Sequence, residues 1–146
     1  MSAAVGVIGL GVIGRPIAER LVQAGYGVSA FDVRAEPLAA LRRLGAAACA
    51  SPAEVAKRSE IIISLVSNEA QTDAVVGGAG GVLETLRAGS IFVTGSTLGP
   101  EPARRIARAL AQRGGETLDA PISGGYLAAS EGTLSLMVGG RPEVLE

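Results

Sequence analysis

Residues 9–14, GLGVIG, place three glycines in six positions between an apolar run, AVGVIGL, and a stretch of helical spacing, RPIAERLVQAG. A strand that enters a helix through so tight a turn leaves few folds open. The helix must double back onto the sheet to which the strand belongs. Gly9 permits the turn, and Gly14 lets the helix lie close against the strand. Pro16 suits a first helical turn, and Ile17, Leu21 and Val22 form an apolar stripe. Gly25 is placed to end the helix.

The same alternation runs on along the chain. GVSAFD, ending at Asp32, reads as a second strand, and EPLAALRRLG as a helix with Leu38, Leu41 and Leu44 on one face. AAACA is a weak strand. SPAEVAKRS is a short helix capped by Ser51, with Pro52 in its first turn. EIIISLV is a strand, and a helical stretch around EAQTDAVV follows. GGAGG is expected to be a connector, since no strand directly precedes it. GVLETLRAG reads as a short helix and SIFVTGS as a strand. GPEPARRIARALAQRG is the clearest amphipathic helix, with Ile106, Ala109 and Leu110 inside and Arg104, Arg105 and Arg108 on the wet face. ETLDAP is a strand running into a loop, GTLSLMVGG a last strand, and RPEVLE the start of another helix. Strands apolar on both faces, alternating with helices, predict a doubly wound α/β fold. Its sheet is mostly parallel and covered on both sides, in a single domain over residues 1–146.

Composition narrows the chemistry. The chain contains no His, which removes His-based triads, zinc sites and general bases. No metal site is expected. Proton transfer within this chain is left to carboxylates, Tyr, bound water and the single Lys, Lys57. Lys57 lies beside Arg58 on a short polar helix and reads as a solvated charge. A net charge of −1 without a basic block gives no footing for a nucleic-acid partner. The longest apolar run is too short to span a membrane. No signal or transit peptide is visible, so a cytoplasmic location is expected. The one cysteine, Cys49, fits a reducing compartment and reads as a small core filler.

The glycine triplet acquires a function from its flanks. It follows a strand and opens a helix, the context in which a dinucleotide pyrophosphate is held. Gly11 lets the backbone approach the phosphates without a Cβ in the way. The N–H groups of Val12 and Ile13 are expected to point at them, assisted by the helix dipole. Asp32 lies 18 residues beyond Gly14, at the tip of the second strand. A carboxylate there bonds ribose hydroxyls and repels a 2′-phosphate, which favours NAD over NADP. Arg34 can stack on adenine or reach a 2′-phosphate. These features predict a Rossmann-type domain.

Three stretches carry a more specific resemblance: GVIGLGVIGRPIAERLVQAGYGVSAFD, GSTLGP, and LDAPISGGYLAASEGTLSLMVGG. Together the chain resembles the cofactor domain of the β-hydroxyacid dehydrogenase family. Members include 3-hydroxyisobutyrate dehydrogenase, tartronate semialdehyde reductase and 6-phosphogluconate dehydrogenase. The resemblance implies that residues 9–14 (Gly9, Leu10, Gly11, Val12, Ile13 and Gly14), with Asp32, Val33 and Arg34, hold the adenosine and pyrophosphate. It implies that Leu65 and Val66 border the nicotinamide ribose, although the family often has Pro where Val66 stands. It sets Thr97 near the nicotinamide. Ser123, Gly124 and Gly125 match the segment that holds the substrate carboxylate. A hydroxyl beside exposed glycine N–H groups is a compact anion cradle, which suits a small hydroxy acid. Asp119 is expected to fix that loop. Tyr126 stands where many relatives have a smaller residue.

In the family a Lys on a long helix after the cofactor domain serves as general acid–base. A helical domain beyond it closes the site and makes the dimer. The resemblance therefore implies that no catalytic residue lies in this chain, which stops at Glu146, before that helix. The expected parent is an NAD-dependent, homo-oligomeric dehydrogenase of a small 3-hydroxyisobutyrate-like acid. The 146-residue chain alone is expected to bind dinucleotide and to turn over very slowly or not at all. Two alternatives stand beside this reading: a non-catalytic dinucleotide-sensing module, and an imine-reductase-like enzyme. Imine reductases share the cofactor domain but usually lack DAPISGG.

Overall fold

The computed structural model describes residues 2–146. β1 (Ala4–Ile8) enters α1 (Gly14–Gln23), and β2 (Gly27–Phe31) enters α2 (Ala35–Arg43). β3 (Ala47–Ala48), α3 (Pro52–Arg58), β4 (Ile61–Ser64) and α4 (Glu69–Gly77) follow. Then come β5 (Ile91–Thr94), α5 (Pro100–Ala111) and β6 (Glu116–Asp119). These six strands form one parallel sheet in the order β3-β2-β1-β4-β5-β6. The order reverses direction between β1 and β4, and ligands of open α/β sheets bind at such a switch point, beyond the carboxyl ends of the strands.

Both faces of the sheet are covered. On one, Ile8, Ile62 and Phe92 pack with Val55 and Ala56 of α3, Val75 and Val76 of α4, and Ile106 and Leu110 of α5. On the other, Val7, Val28 and Ala30 meet Ala18 of α1 and Leu41 of α2. Successive residues Val7 and Ile8 thus feed opposite cores, as a strand buried on both faces requires. Cys49 is buried in the first core. Ser51 caps α3, its hydroxyl accepting from the Glu54 N–H at 3.2 Å. Lys57 is exposed.

The chain departs from its sequence pattern in four places. Leu44 lies at the C-cap of α2 and is largely exposed, because the helix ends before its stripe does. Only a single 3-10 turn, Val82–Glu84, forms where a short helix is expected. There the Thr85 hydroxyl is drawn away to the Ala53 carbonyl of α3. The last glycine of SGG opens a helix, α6 (Gly125–Glu131), where the sequence suggests a loop. GTLSLMVGG does not become a strand of the main sheet. It yields the two-residue β8 (Ser135–Leu136), antiparallel to β7 (Ile122–Ser123), and one bridge between Asp119 and Gly139. α7 (Pro142–Leu145) closes the described chain. No helix among the described residues is long and apolar enough to cross a membrane.

Candidate cofactor site

A cavity of about 600 Å³ opens at the switch point. Its wall draws on the β1–α1 loop, the end of β2, the loop after β4, and α4. That volume falls within the range of small-molecule and cofactor sites.

Glycine at three positions is dictated by contact or by the lack of it. Gly9 has φ +96°, and a Cβ there would lie 2.9 Å from the Leu65 carbonyl. A Cβ on Gly14 would lie 1.8 Å from the Gly9 oxygen, an overlap no relaxation removes. Gly11 is the opposite case, since a Cβ there would meet nothing within 4 Å. The protein does not need glycine at 11 for its own packing. The missing side chain leaves room for a ligand to approach that backbone.

The helix that follows is left open at its N-terminus. Ile13 is the N-cap and offers no side-chain acceptor, and no acid stands in the first turn. Among the described residues, no acceptor meets the N–H groups of Gly11, Val12 or Ile13. Unsatisfied N–H groups at a helix start, with the positive end of the macrodipole behind them, are an anion site.

Asp32, directly after β2, does more than that position indicates. One carboxylate oxygen accepts from the Leu10 N–H at 2.7 Å. The other accepts from the Arg34 N–H at 2.8 Å and from Arg34 Nε at 3.2 Å. Only 8% of the side chain is exposed. Burial pushes its pKa up, but these donors outweigh burial and hold the carboxyl below its ordinary value. Arg34 also donates to the Leu10 carbonyl at 3.1 Å. The acid and the Arg therefore brace the glycine loop from the β2 side. No sequence spacing signals this, because it rests on where the loop folds back.

The cavity brings together Gly9, Gly11, Val12, Asp32, Val33, Arg34, Leu65 and Val66. Val33 is 90% exposed and Val12 70%, so both stand as apolar lips that a ligand would cover. Leu10, Ile13 and Gly14 stand behind the wall. The Leu10 side chain is buried in the α1/α2 core, and its N–H serves Asp32. Thr97 is exposed on the loop after β5 and does not line the cavity. Ser67, Gln71, Ala74 and Ala79 line it without having been singled out in the sequence. Gln71 accepts from the Ser67 N–H at 2.7 Å, one turn inside α4, whose cap is Asn68. The Asn-Glu-Ala-Gln run after a strand was the available signal.

Ser123, Gly124 and Gly125 are exposed at the junction of β7 and α6, outside this cavity. Gly124 has φ +132° and Gly125 φ +68°, conformations that favour glycine. Behind them, α6 is tied to α1: Arg20 donates to the Ser130 carbonyl at 3.1 Å, near the C-terminus of α6. Asp119, just upstream, has one buried carboxylate oxygen without a partner, and burial raises its pKa. Its backbone exchanges two bonds with Gly139. Arg105, on the wet face of α5, is not idle; it pairs with Asp73 and Glu69 of α4.

Residues 4–146 match the family described as the NAD binding domain of 6-phosphogluconate dehydrogenase. The chain belongs to that family. It is 40% identical over 143 residues to L-threonate dehydrogenase of Cupriavidus necator, a match covering 98% of this chain and 48% of that one. Mycobacterium tuberculosis 3-hydroxyisobutyrate dehydrogenase, solved with L-serine, superposes with a TM-score of 0.91 at 29% identity, over 99% of this chain and 49% of that chain. An imine reductase from a Pseudomonas species superposes at 0.85 and 27% identity, over 99% and 49%. The chain thus spans about half the length of the relatives it matches. The half it matches is the one described as the NAD binding domain.

Proposed function

We propose that this domain is the NAD-binding half of an enzyme that transfers a hydride between the nicotinamide and the hydroxyl-bearing carbon of a small β-hydroxy acid, of the 3-hydroxyisobutyrate type. One observation carries the cofactor part: three unengaged N–H groups at the start of α1, beside a Gly11 with open space where a side chain would be. The pyrophosphate would rest there. The adenosine ribose would lie at Asp32, which favours NAD over NADP because an ionised carboxylate repels a 2′-phosphate. Bound NAD would supply the hydride acceptor at nicotinamide C4. Leu65, Val66 and Thr97 would border that end, and Val12 and Val33 would shield it and the adenosine from water.

The substrate part rests on residues 123–125. The Ser123 hydroxyl and the backbone of Gly124 and Gly125 would take the carboxylate of the acid. No residue of this chain is assigned to proton transfer. We assign that step to a Lys on a helix beyond Glu146, and the homo-oligomeric contact to a helical domain after it, leaving residues 1–146 as the cofactor domain. Neither nucleic acid nor membrane is proposed as a partner, and the cytoplasm is the proposed compartment. The likeness to an imine reductase favours a second reading, in which the acceptor is an imine. The SGG loop, suited to a carboxylate, speaks for the hydroxy acid.

The test is a fluorescence titration of NADH and NADPH against the chain and its Gly11→Ala variant, following the cofactor's own emission because the protein has no Trp. Saturable NADH binding, weaker NADPH binding, and loss of both in the variant are expected. Equal NADH binding by the variant would remove the pyrophosphate from this loop.

A further inference from the structure

We propose that Ser96 is a positioning residue for the nicotinamide end of the cofactor, acting through the backbone carbonyl of Val66. The proposal rests on the cofactor reading above. The sheet order decides which end of the ligand is concerned. With the pyrophosphate at the loop after β1 and the adenosine ribose at Asp32 after β2, the other half of the dinucleotide must extend toward β4 and β5, on the opposite side of β1. Val66, in the loop after β4, lines the cavity on that side.

The segment that holds Val66 is fixed from three directions. Leu65 is wedged between the loops after β1 and β5. A Cβ on Gly9 would lie 2.9 Å from its carbonyl, and one on Gly95 would lie 2.5 Å from its Cδ2. The Ser67 N–H is taken by Gln71. Between them, the Ser96 hydroxyl donates to the Val66 carbonyl from the loop after β5. Ser96 is 5% exposed, so this is an internal strap and no part of the ligand surface. Behind it, the fully buried Thr72 donates its hydroxyl to the Asn68 carbonyl at 2.8 Å, with Ser96 Oγ 3.4 Å away.

The strap has a directional effect. It gives the Val66 carbonyl an internal partner and so fixes the peptide that borders the cavity. It also joins the loops after β4 and β5, which together would receive the nicotinamide half. Without the hydroxyl, the Val66 carbonyl loses its partner and turns toward solvent or ligand to recover one.

The experiment compares NADH with ADP, which carries the adenosine and pyrophosphate but lacks the second ribose and the nicotinamide. Affinities are measured by calorimetry on the wild-type chain, Ser96→Ala, Ser96→Cys and Thr72→Val, each checked for folding by circular dichroism. Ser96→Ala is expected to weaken NADH roughly fivefold, the scale of one neutral hydrogen bond, and to leave ADP within about twofold. Ser96→Cys, a weaker donor of similar size, falls between, and Thr72→Val changes neither ligand by more than about twofold. An equal loss of NADH and ADP, or no loss of either, overturns the role of Ser96. Wild-type protein that binds ADP but takes NADH no more tightly overturns the proposal differently, by removing the nicotinamide half from β4 and β5. Wild-type protein that binds neither overturns the cofactor reading itself.

Discussion

Replacing Asp32 by Ala strips the glycine loop of its brace before any cofactor is present. The Leu10 N–H would lose its only acceptor in a buried site, which costs about 1–3 kcal/mol. The Arg34 N–H can turn to water, and the Arg34 guanidinium is 60% exposed, so its ion pair adds at most about 1 kcal/mol. The sum is about 1–4 kcal/mol. At about 3 °C per kcal/mol for a domain of this size, the cofactor-free variant should melt roughly 3–12 °C below wild type. Asp32→Asn keeps one acceptor for Leu10 and should lose about half as much. The folded pKa of Asp32 lies below its unfolded value. The stabilisation is therefore complete above about pH 4 and is lost as the pH falls through the folded pKa. Urea unfolding at pH 7 and at successively lower pH, with wild type and variant side by side, measures the gap. A variant that unfolds within about 0.5 kcal/mol of wild type at pH 7, yet binds NADH poorly, would refute the bracing role and leave Asp32 as a ribose contact alone.

Other substitutions separate packing from ligand contact. Gly14→Ala forces a Cβ onto the Gly9 carbonyl and should cost about 3 kcal/mol in urea unfolding, whereas Gly11→Ala should leave cofactor-free stability unchanged. Arg20→Ala removes the bond to the Ser130 carbonyl and should speed amide exchange across residues 125–132 several-fold, with a loss of about 1 kcal/mol. Asp119→Asn should raise stability at neutral pH by less than about 1 kcal/mol, because burial disfavours the ionised form. A carboxyl whose folded pKa is raised is a liability only while ionised. The advantage of Asn should therefore shrink as the pH falls through the folded and then the unfolded pKa, which thermal melts at pH 7 and pH 3 would register.

Local chemistry wrote the first half of the site legibly. The strand, the glycines and the apolar stripe of α1 all sit within 25 residues of one another, and each has a local reason to be there. Ser51 and Pro52 announced α3 in the same way. Asp32 was visible as an acid at a strand tip, but its bond to Leu10 was not, since that depends on a loop folding back across 22 residues. Ala79 joined the cavity through tertiary placement alone. The region after Asp119 was the least legible. Two glycines masked the start of α6, whose only fully buried side chain is Ala129, too weak a stripe to betray a helix. The apolar residues of GTLSLMVGG mimicked a core strand, although Leu136, Met137 and Val138 are exposed.

The position of β1 in the middle of the sheet also sets a timetable. It precedes both of its neighbours in the chain, which begin at Gly27 and Ile61. A nascent chain that ends before Ile61 can pair β1 along one edge only. The wall supplied by Leu65, Val66 and Gln71 comes later still. The glycines of the β1–α1 loop thus leave the ribosome long before there is a pocket around them, and a ligand held there could act only as a late clamp on a nearly finished sheet.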